Sequence, residues 1–493
     1  MLTILTTTDS YKEVQKAIAS VERLGELVTI TEDSETIKDL KTLVVDSDEI
    51  TVPLDWYDLE PPYVFPANPY NRENLLALVF YKLGNQQKAF EYVSEEYPIY
   101  HHLLIATHLQ FGYEISADMI DFCYNTSPHN SAILSYYGNV ESQQDHMQLK
   151  KGFLDALSKT ENDEVKVFSA KHFLNLLLDA GELQEAKQLA EEQKAIAISD
   201  DAKFAMNTHL AGILMVQLQV PYSNEELEEV HELQLQSIAH FESKGLKVQA
   251  GMLLVDAAEI ANFKEDFIAS KELINRAIQY FKQEDIPEFL GEAGFKKAIL
   301  LYTWSKNGSP QYYKAAINAF QDVLKVFKRD THPQKFADVH HNLALIYSEI
   351  PVGAEEKPMW TAFCASSFKE VLAFYNKEQY PYEYAMASHN YATALMHFPP
   401  AKLHDNLKKS SGLFQEALDI RTVETYPFER ALTLMNMLEL GWLTHNEDSS
   451  DELKKYEEMK SKAEEIKTLV KDADLISQAN DHLKELEKVK SLI

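Results

Sequence analysis

Three stretches of this chain repeat one another in phase, and a repeat restricts a fold more tightly than composition can. They read THPQKFADVHHNLALIY, QYPYEYAMASHNYATAL and TYPFERALTLMNMLELGW. Each places alanine four residues after a proline and asparagine nine after it: Pro333, Ala337, Asn342; Pro381, Ala385, Asn390; Pro427, Ala431, Asn436. The prolines are 48 (381 − 333) and 46 (427 − 381) residues apart. Stepping back 46 from Pro333 reaches Pro287, with Gly291 four later. Lys296 holds the asparagine position there, so that copy is degenerate.

Proline ends one segment and presets the first turn of the next helix. The small residue at +4 then lies on the inner face, where helices pack closely. A second amphipathic helix is predicted after each first one, over Tyr312–Phe327, Trp360–Tyr375 and Leu403–Ile420. Such a pair cannot bury its apolar face alone, and stacking neighbours completes the core. The period leaves room for helices of about 18–20 residues, roughly 30 Å long.

Upstream the signal is weaker. Helical spacing begins at Asn71, and Ala77, Phe80, Tyr81, Gly84 and Ala89 fit a tight helix-turn-helix. Gly112 with Ala117, and Gly181 with Ala186, repeat the five-residue interval of Gly84 and Ala89. Glycine suits the position just past a helix end. Residues 53–70 hold five of the 17 prolines and are predicted to be an extended connector, with Tyr63 and Phe65 packing on a neighbour. Residues 1–52 differ again. Leu2–Leu5, Leu27–Ile30, Leu43–Val45 and Ile50–Val52 are apolar or β-prone runs, while Val14, Ala17, Ile18, Val21 and Leu24 step as a helix. The organisation expected is a small α/β segment (1–52), the connector (53–70), helical repeats (71–446) and capping helices (447–493). In the last, Ile476, Ala479, Leu483 and Leu486 step by three and four. No sheet is expected beyond about residue 60.

The residues after 331 carry a resemblance. Pro333, Phe336, Ala337, Asn342, Leu343, Ala344 and Tyr347 resemble a longer bacterial subtype of the tetratricopeptide repeat, often found in proteins linked to caspase-like CHAT peptidases. Ala77, Gly84 and Ala89 resemble the ordinary repeat. The likeness spans residues 71 to about 446 and departs at Met437 and Leu438, which replace the Leu-Ala after Asn436. It implies an all-α, right-handed superhelix with a concave groove for a protein or peptide, and no chemistry of its own.

Residue patterns add no chemistry either. No phosphate-binding glycine loop occurs, and His231–Glu232 lacks the second histidine at the helical spacing that zinc proteases use. Asp46, Asp48 and Glu49 lack the glycine of a calcium loop. Adjacent pairs His101–His102 and His340–His341 point apart on a helix. The chain is therefore read as a non-enzyme with no cofactor and no metal. The net charge of −30 (47 − 77) disfavours nucleic acid and anionic membrane surfaces and suits neutral or basic partners. Two distant cysteines, Cys123 and Cys364, and a start without a signal-peptide pattern point to reduced thiols in the cytoplasm. The sequence does not disclose an oligomeric state.

Two roles are open to Asn342, Asn390 and Asn436. They could grip a peptide backbone, or they could bond to the neighbouring repeat and fix its register, which is the reading favoured. The residues just before them, His341, His389 and Met435, are then expected to face the groove. So are Asp338, Met386 and Leu432 three before those, and Ser348, Met396 and Trp442 six after the asparagines. The expected partner face is His341, His389, Met386, Asp338 and Trp442. The function expected is an interaction scaffold. Alternatives are a peptide-sensing regulator, or the regulatory subunit of a partner enzyme such as a CHAT-type peptidase.

Overall fold

The computed structural model describes residues 1–33, 41–140, 144–400 and 405–490. The chain forms two compact units, Met1–Asp266 and Phe267–Ile493.

The first unit begins with a five-stranded sheet. Strand β1 (Leu2–Thr6) is flanked in parallel by β2 (Val28–Thr31) and β3 (Thr42–Val45). Antiparallel β4 (Glu49–Thr51) and β5 (Asn68–Pro69) follow at one edge. Parallel neighbours need a crossover, and α1 (Tyr11–Ala19) makes the one from β1 to β2. It buries Val14, Ala17 and Ile18 in one core with Ile4, Leu43 and Val45. The helical spacing overreached at Val21 and Leu24. The helix caps at Ser20, and Arg23 takes a left-handed φ of 64° before a short 3-10 turn. Sheet also continues beyond residue 60, contrary to expectation, in β5 and in a pair β6 (Glu114–Ile115) and β7 (Asn139–Val140). Two-residue strands are too short for an alternating pattern to register.

Helices fill the rest of this unit: α2 (Arg72–Lys82), α3 (Gln86–Phe90), α4 (Pro98–Phe111), α5 (Ala117–Thr126), α6 (Pro128–Tyr137), α7 (His146–Lys159), α8 (Asp163–Asp179), α9 (Leu183–Ile196), α10 (Asp200–Gln217), α11 (Asn224–Ser243) and α12 (Lys247–Phe263). From α5 onward consecutive helices pack on one another, as do α2 and α3, and α6, α8 and α10 also touch one another in a row. One turn recurs. Past α8, Gly181 (φ +72°) lets the Glu182 N–H return to Leu177 O at 2.8 Å. Five residues on, Ala186 is fully buried, as Ala89 is after Gly84. Gly245 and Ala250 form a further copy. Ala117 does not belong to the series. After Gly112 the chain enters β6, and Ala117 is exposed at the start of α5. Glu265 (φ +60°) makes the same turn without glycine, its neighbour Asp266 donating to Ala261 O at 2.9 Å.

The second unit is built from α13 (Phe267–Gln283), α14 (Pro287–Lys306), α15 (Tyr312–Val323), α16 (Pro333–Glu349), α17 (Lys357–Phe374), α18 (Pro381–Met396), α19 (Asn406–Ile420), α20 (Pro427–Leu443), α21 (Ser449–Leu469) and α22 (Ala473–Val489). Each repeat proline sits in the first turn of its helix. The preceding residues His332, Tyr380 and Tyr426 share nearly one backbone conformation, φ −138°, −134° and −138°. Ala337, Ala385 and Ala431 are fully buried. A Cβ at Gly291 would stand 2.7 Å from the Phe327 ring, which explains glycine in that copy. The second helices overlap the expected spans, but α15 stops at Val323 instead of Phe327 and α17 starts at Lys357 instead of Trp360; the expected start at Leu403 falls outside the described residues. Helices α14, α16, α18, α20 and α22 form a row of neighbours. Each unit is a helical-repeat array of stacked helix pairs, and the first carries a small α/β segment at its N-terminus.

Candidate peptide-binding face

The proline-rich residues leave β4, run out over the helices of the first unit and return to the same sheet as β5. This strap is held largely by side chains that bond its backbone. Asn130 on α6 grips Val64 twice: its Oδ1 accepts the Val64 N–H and its Nδ2 donates to the Val64 carbonyl, both at 2.8 Å. His129 Nε2 donates to Pro62 O at 2.9 Å. Lys171 Nζ on α8 donates to Trp56 O at 3.0 Å, and Gln249 Nε2 on α12 to Tyr57 O at 3.3 Å.

Strap side chains fill the gaps between these bonds. Trp56 meets Phe168 edge-on with ring centroids 5.1 Å apart, and Phe65 meets Tyr81 at 5.3 Å. The Tyr63 hydroxyl is 2.7 Å from His102 Nδ1. Two acids answer two buried ammonium groups: Glu60 pairs with Lys82, and Asp58 with Lys171 at 2.7 Å. Burial pushes His102 and His129 down to about 4, so both rings are neutral near pH 7.

Under the first half of the strap lies a cavity of about 610 Å³. Leu5, Thr42 and Val44 of the sheet line it, with Pro53, Leu59 and the α11–α12 turn. Its charged groups already have partners. Lys41 and Lys82 face Glu60, Lys244 faces Asp201, and Asp55 accepts the N–H groups of Tyr57 and Glu60. Burial raises the Asp55 carboxyl above the usual carboxylate range.

Polar contacts in the second unit link one repeat to the next. Asn390 Nδ2 donates to His341 Nε2 at 2.9 Å. One repeat on, Asn436 Nδ2 donates to Thr393 Oγ1 at 2.9 Å and lies 3.3 Å from His389 Nε2. Each histidine also faces an aromatic ring of its own hairpin, Phe368 and Phe414 respectively. Asn342 has no histidine upstream, because Phe295 holds that position, and it donates to Asp338 O in its own helix.

The structure does not bring the five expected partner-face residues into one open surface. His341 is buried, and burial pushes it and His389 down to about 4, with Arg421 adding to the effect at His389. Asp338 is half-buried and accepts the Tyr375 hydroxyl. Met386 is half-buried on α18. Trp442 is 39% exposed, donates from Nε1 to His482 Nδ1 at 2.9 Å, and edges a cavity of about 460 Å³ with Gln478, Asp481 and Glu485. Met435 and Met396, expected to face the groove, are core residues. Positions +8 and +9 of the repeat are only 100° apart on the helix, and both turn toward a neighbouring helix.

Sequence reasoning missed the strap's anchors. A signal was present: Lys82 closes the apolar run Leu75–Tyr81, His102 precedes the apolar run Leu103–Ala106, and both are buried. A buried cation requires a carboxylate from elsewhere. Among the described residues, no three His, Cys, Asp or Glu side chains are grouped to hold a metal, and no helix is long and apolar enough to cross a membrane. Cys123 and Cys364 are free and buried, which pushes their thiols up to about 11 and about 12.

No protein-family model and no curated protein matches the sequence. Among the solved structures similar in backbone are these two. One is Naa15/Naa10 bound to HypK-THB, at 12% identity and a TM-score of 0.37, covering 86% of this chain and 76% of that one. The other is a circular tandem repeat protein with novel repeat topology and enhanced subunit contact surfaces, at 12% identity and a TM-score of 0.17, covering 85% and 88%. At these scores neither supports an argument about fold or partner, and the fold assignment rests on the chain's own helix pairing.

Proposed function

We propose that this protein is an interaction scaffold whose helical repeats hold an extended segment of a partner protein. One observation carries the reading. In the first unit such a segment, the strap, is held by side chains that bond its backbone, with aromatic residues as anchors. That is a general mode of extended-peptide recognition. The second unit has a comparable row of helices, joined by short connections among the described residues. There Trp442, Met386 and Asp338 are the partner-facing groups, backed by His341 and His389. The repeat asparagines act as structural positions. The net charge of −30 suits a neutral or basic partner for this face. Buried free thiols are consistent with a cytoplasmic protein. The Pro333–Ala337–Asn342 pattern is the feature that ties the chain to the CHAT-linked repeat subtype, with a partner enzyme of that kind as one form the scaffold's target could take.

Selection of displayed peptides against the full chain tests this. Binders should lose at least tenfold in affinity to Trp442→Ala and Met386→Ala proteins whose melting is preserved. A selection that yields no binder, or binders indifferent to both changes, sinks the assignment of this face.

A further inference from the structure

We infer that the strap is an internal stand-in for a ligand. On this inference the first unit's helix face also binds, in place of the strap, an extended and proline-interrupted acidic–aromatic segment of a partner protein. The inference rests on the scaffold reading above and adds a second site of different chemistry.

Three observations support it. First, the face beneath the strap is unlike a permanent core. Lys82, His102, His129, Asn130 and Lys171 are all buried, and each has a polar partner on the strap: Glu60, the Tyr63 hydroxyl, Pro62 O, Val64, and Asp58 with Trp56 O respectively. A permanent core is cheaper when apolar, whereas these groups would be well solvated with the strap lifted. Second, the strap's first half bridges a cavity of about 610 Å³, so it lacks the packing density of an interior. Third, both ends of the strap are tied to one sheet, at β4 and β5, so it can rise as a loop while the sheet stays in place. The chemistry of the replacing segment follows from what it must satisfy. It needs carboxylates for Lys82 and Lys171, a free backbone amide and carbonyl for Asn130, and rings for the sites of Trp56 and Phe65. This calls for an acidic segment, unlike the neutral or basic partner expected on the second unit.

The probe is a labelled synthetic peptide of residues 53–67, PLDWYDLEPPYVFPA, added to the full-length protein. In the wild type the attached strap competes at an effective concentration in the millimolar range, so peptide binding should be weak. A Trp56→Ser/Tyr63→Ser protein, whose own strap is weakened, should bind the peptide at least tenfold more tightly, and adding Asn130→Ala should cancel that gain. Absence of binding by a double variant with native circular dichroism overturns the proposal. Dimerisation of that variant in light scattering overturns the choice of a partner protein, because a second copy's strap would then be the occupant. Hydrogen exchange on the wild type covers the case in which the variant unfolds. The Val64 amide should exchange at least tenfold faster than the amides of Phe173–Leu177 in α8. Equal rates would mean that the strap opens only when the unit unfolds, and the proposal fails. Each of these failures leaves Trp442-dependent binding at the second unit untouched, so the two readings can fall separately.

Discussion

Both units set helices in a row and place buried or half-buried polar side chains between them, but the polar groups serve different neighbours. In the first unit Asn130, His129 and Lys171 bond a strap that comes from the N-terminal sheet. In the second, Asn390 and Asn436 bond the helix of the preceding repeat. An asparagine inside a solenoid therefore has no fixed meaning. Its role follows from whether a helix or a foreign strand lies opposite.

Acid should give the largest difference between the units. His102 and His129 in the first unit, and His341 and His389 in the second, are held at about 4, and His172 in the first well below its usual value. A histidine with a depressed folded pKa binds fewer protons folded than unfolded between about 6.5 and 4. Stability is therefore present above 6.5 and lost as pH falls through that window, at about 1.4 kcal/mol per pH unit per ring. His209 and His231 in the first unit and His340 and His482 in the second are lowered by burial as well, so with five such rings against four the first unit should open at the higher pH. Hydrogen exchange read by unit, with denaturant melts from pH 7 to 4.5, would show it, and a flat profile breaks the claim that these rings are neutral and buried.

Next in size, Trp56→Ala should destabilise the first unit by about 3–5 kcal/mol, the range for deleting a large buried aromatic. The second unit should keep its protection. Denaturant melts with unit-resolved exchange would distinguish this from a loss shared by both.

The repeat itself was the legible part of the chain. Proline and the small residue answer to geometry inside one helix, and the asparagine at Asn390 and Asn436 to a contact one repeat away, so their spacing survives in the sequence. The strap's destination was not legible. Val64 meets a side chain 66 residues away and Tyr57 meets one 192 away, and no local period records such pairings. The helical turns were half legible, since glycine marks most of them and Glu265 and Asp285 hide two. What covers His341 was not legible either: spacing shows that a face recurs but not which neighbour lies against it.

Asn390→Ala should cost about 1–3 kcal/mol by leaving the His341 ring nitrogen without its donor. Peptide binding at Trp442 should be unchanged, as calorimetry and binding assays on the same preparation would report. Binding lost without a change in melting would make the asparagines recognition groups after all. The smallest effect is a gain. Glu265→Gly should stabilise by no more than about 1 kcal/mol, because removing the strain of a left-handed side-chain residue is partly offset by glycine's freedom in the unfolded chain. An unchanged or lower melting temperature would show that the Glu265 side chain contributes more than its backbone costs.

The histidine–asparagine contacts also have a direction. Each repeat offers a ring nitrogen forward and reaches back with an amide, like a tongue and a groove on successive boards. The series is closed at both ends by substitutions: Phe295 offers no nitrogen to Asn342, and Met435 offers none onward. A tandem duplication of the 48 residues from Pro333 to Tyr380 would carry one complete fitting of each kind. It could therefore be spliced in without creating a mismatched joint, and the array could be lengthened in evolution or by design one board at a time.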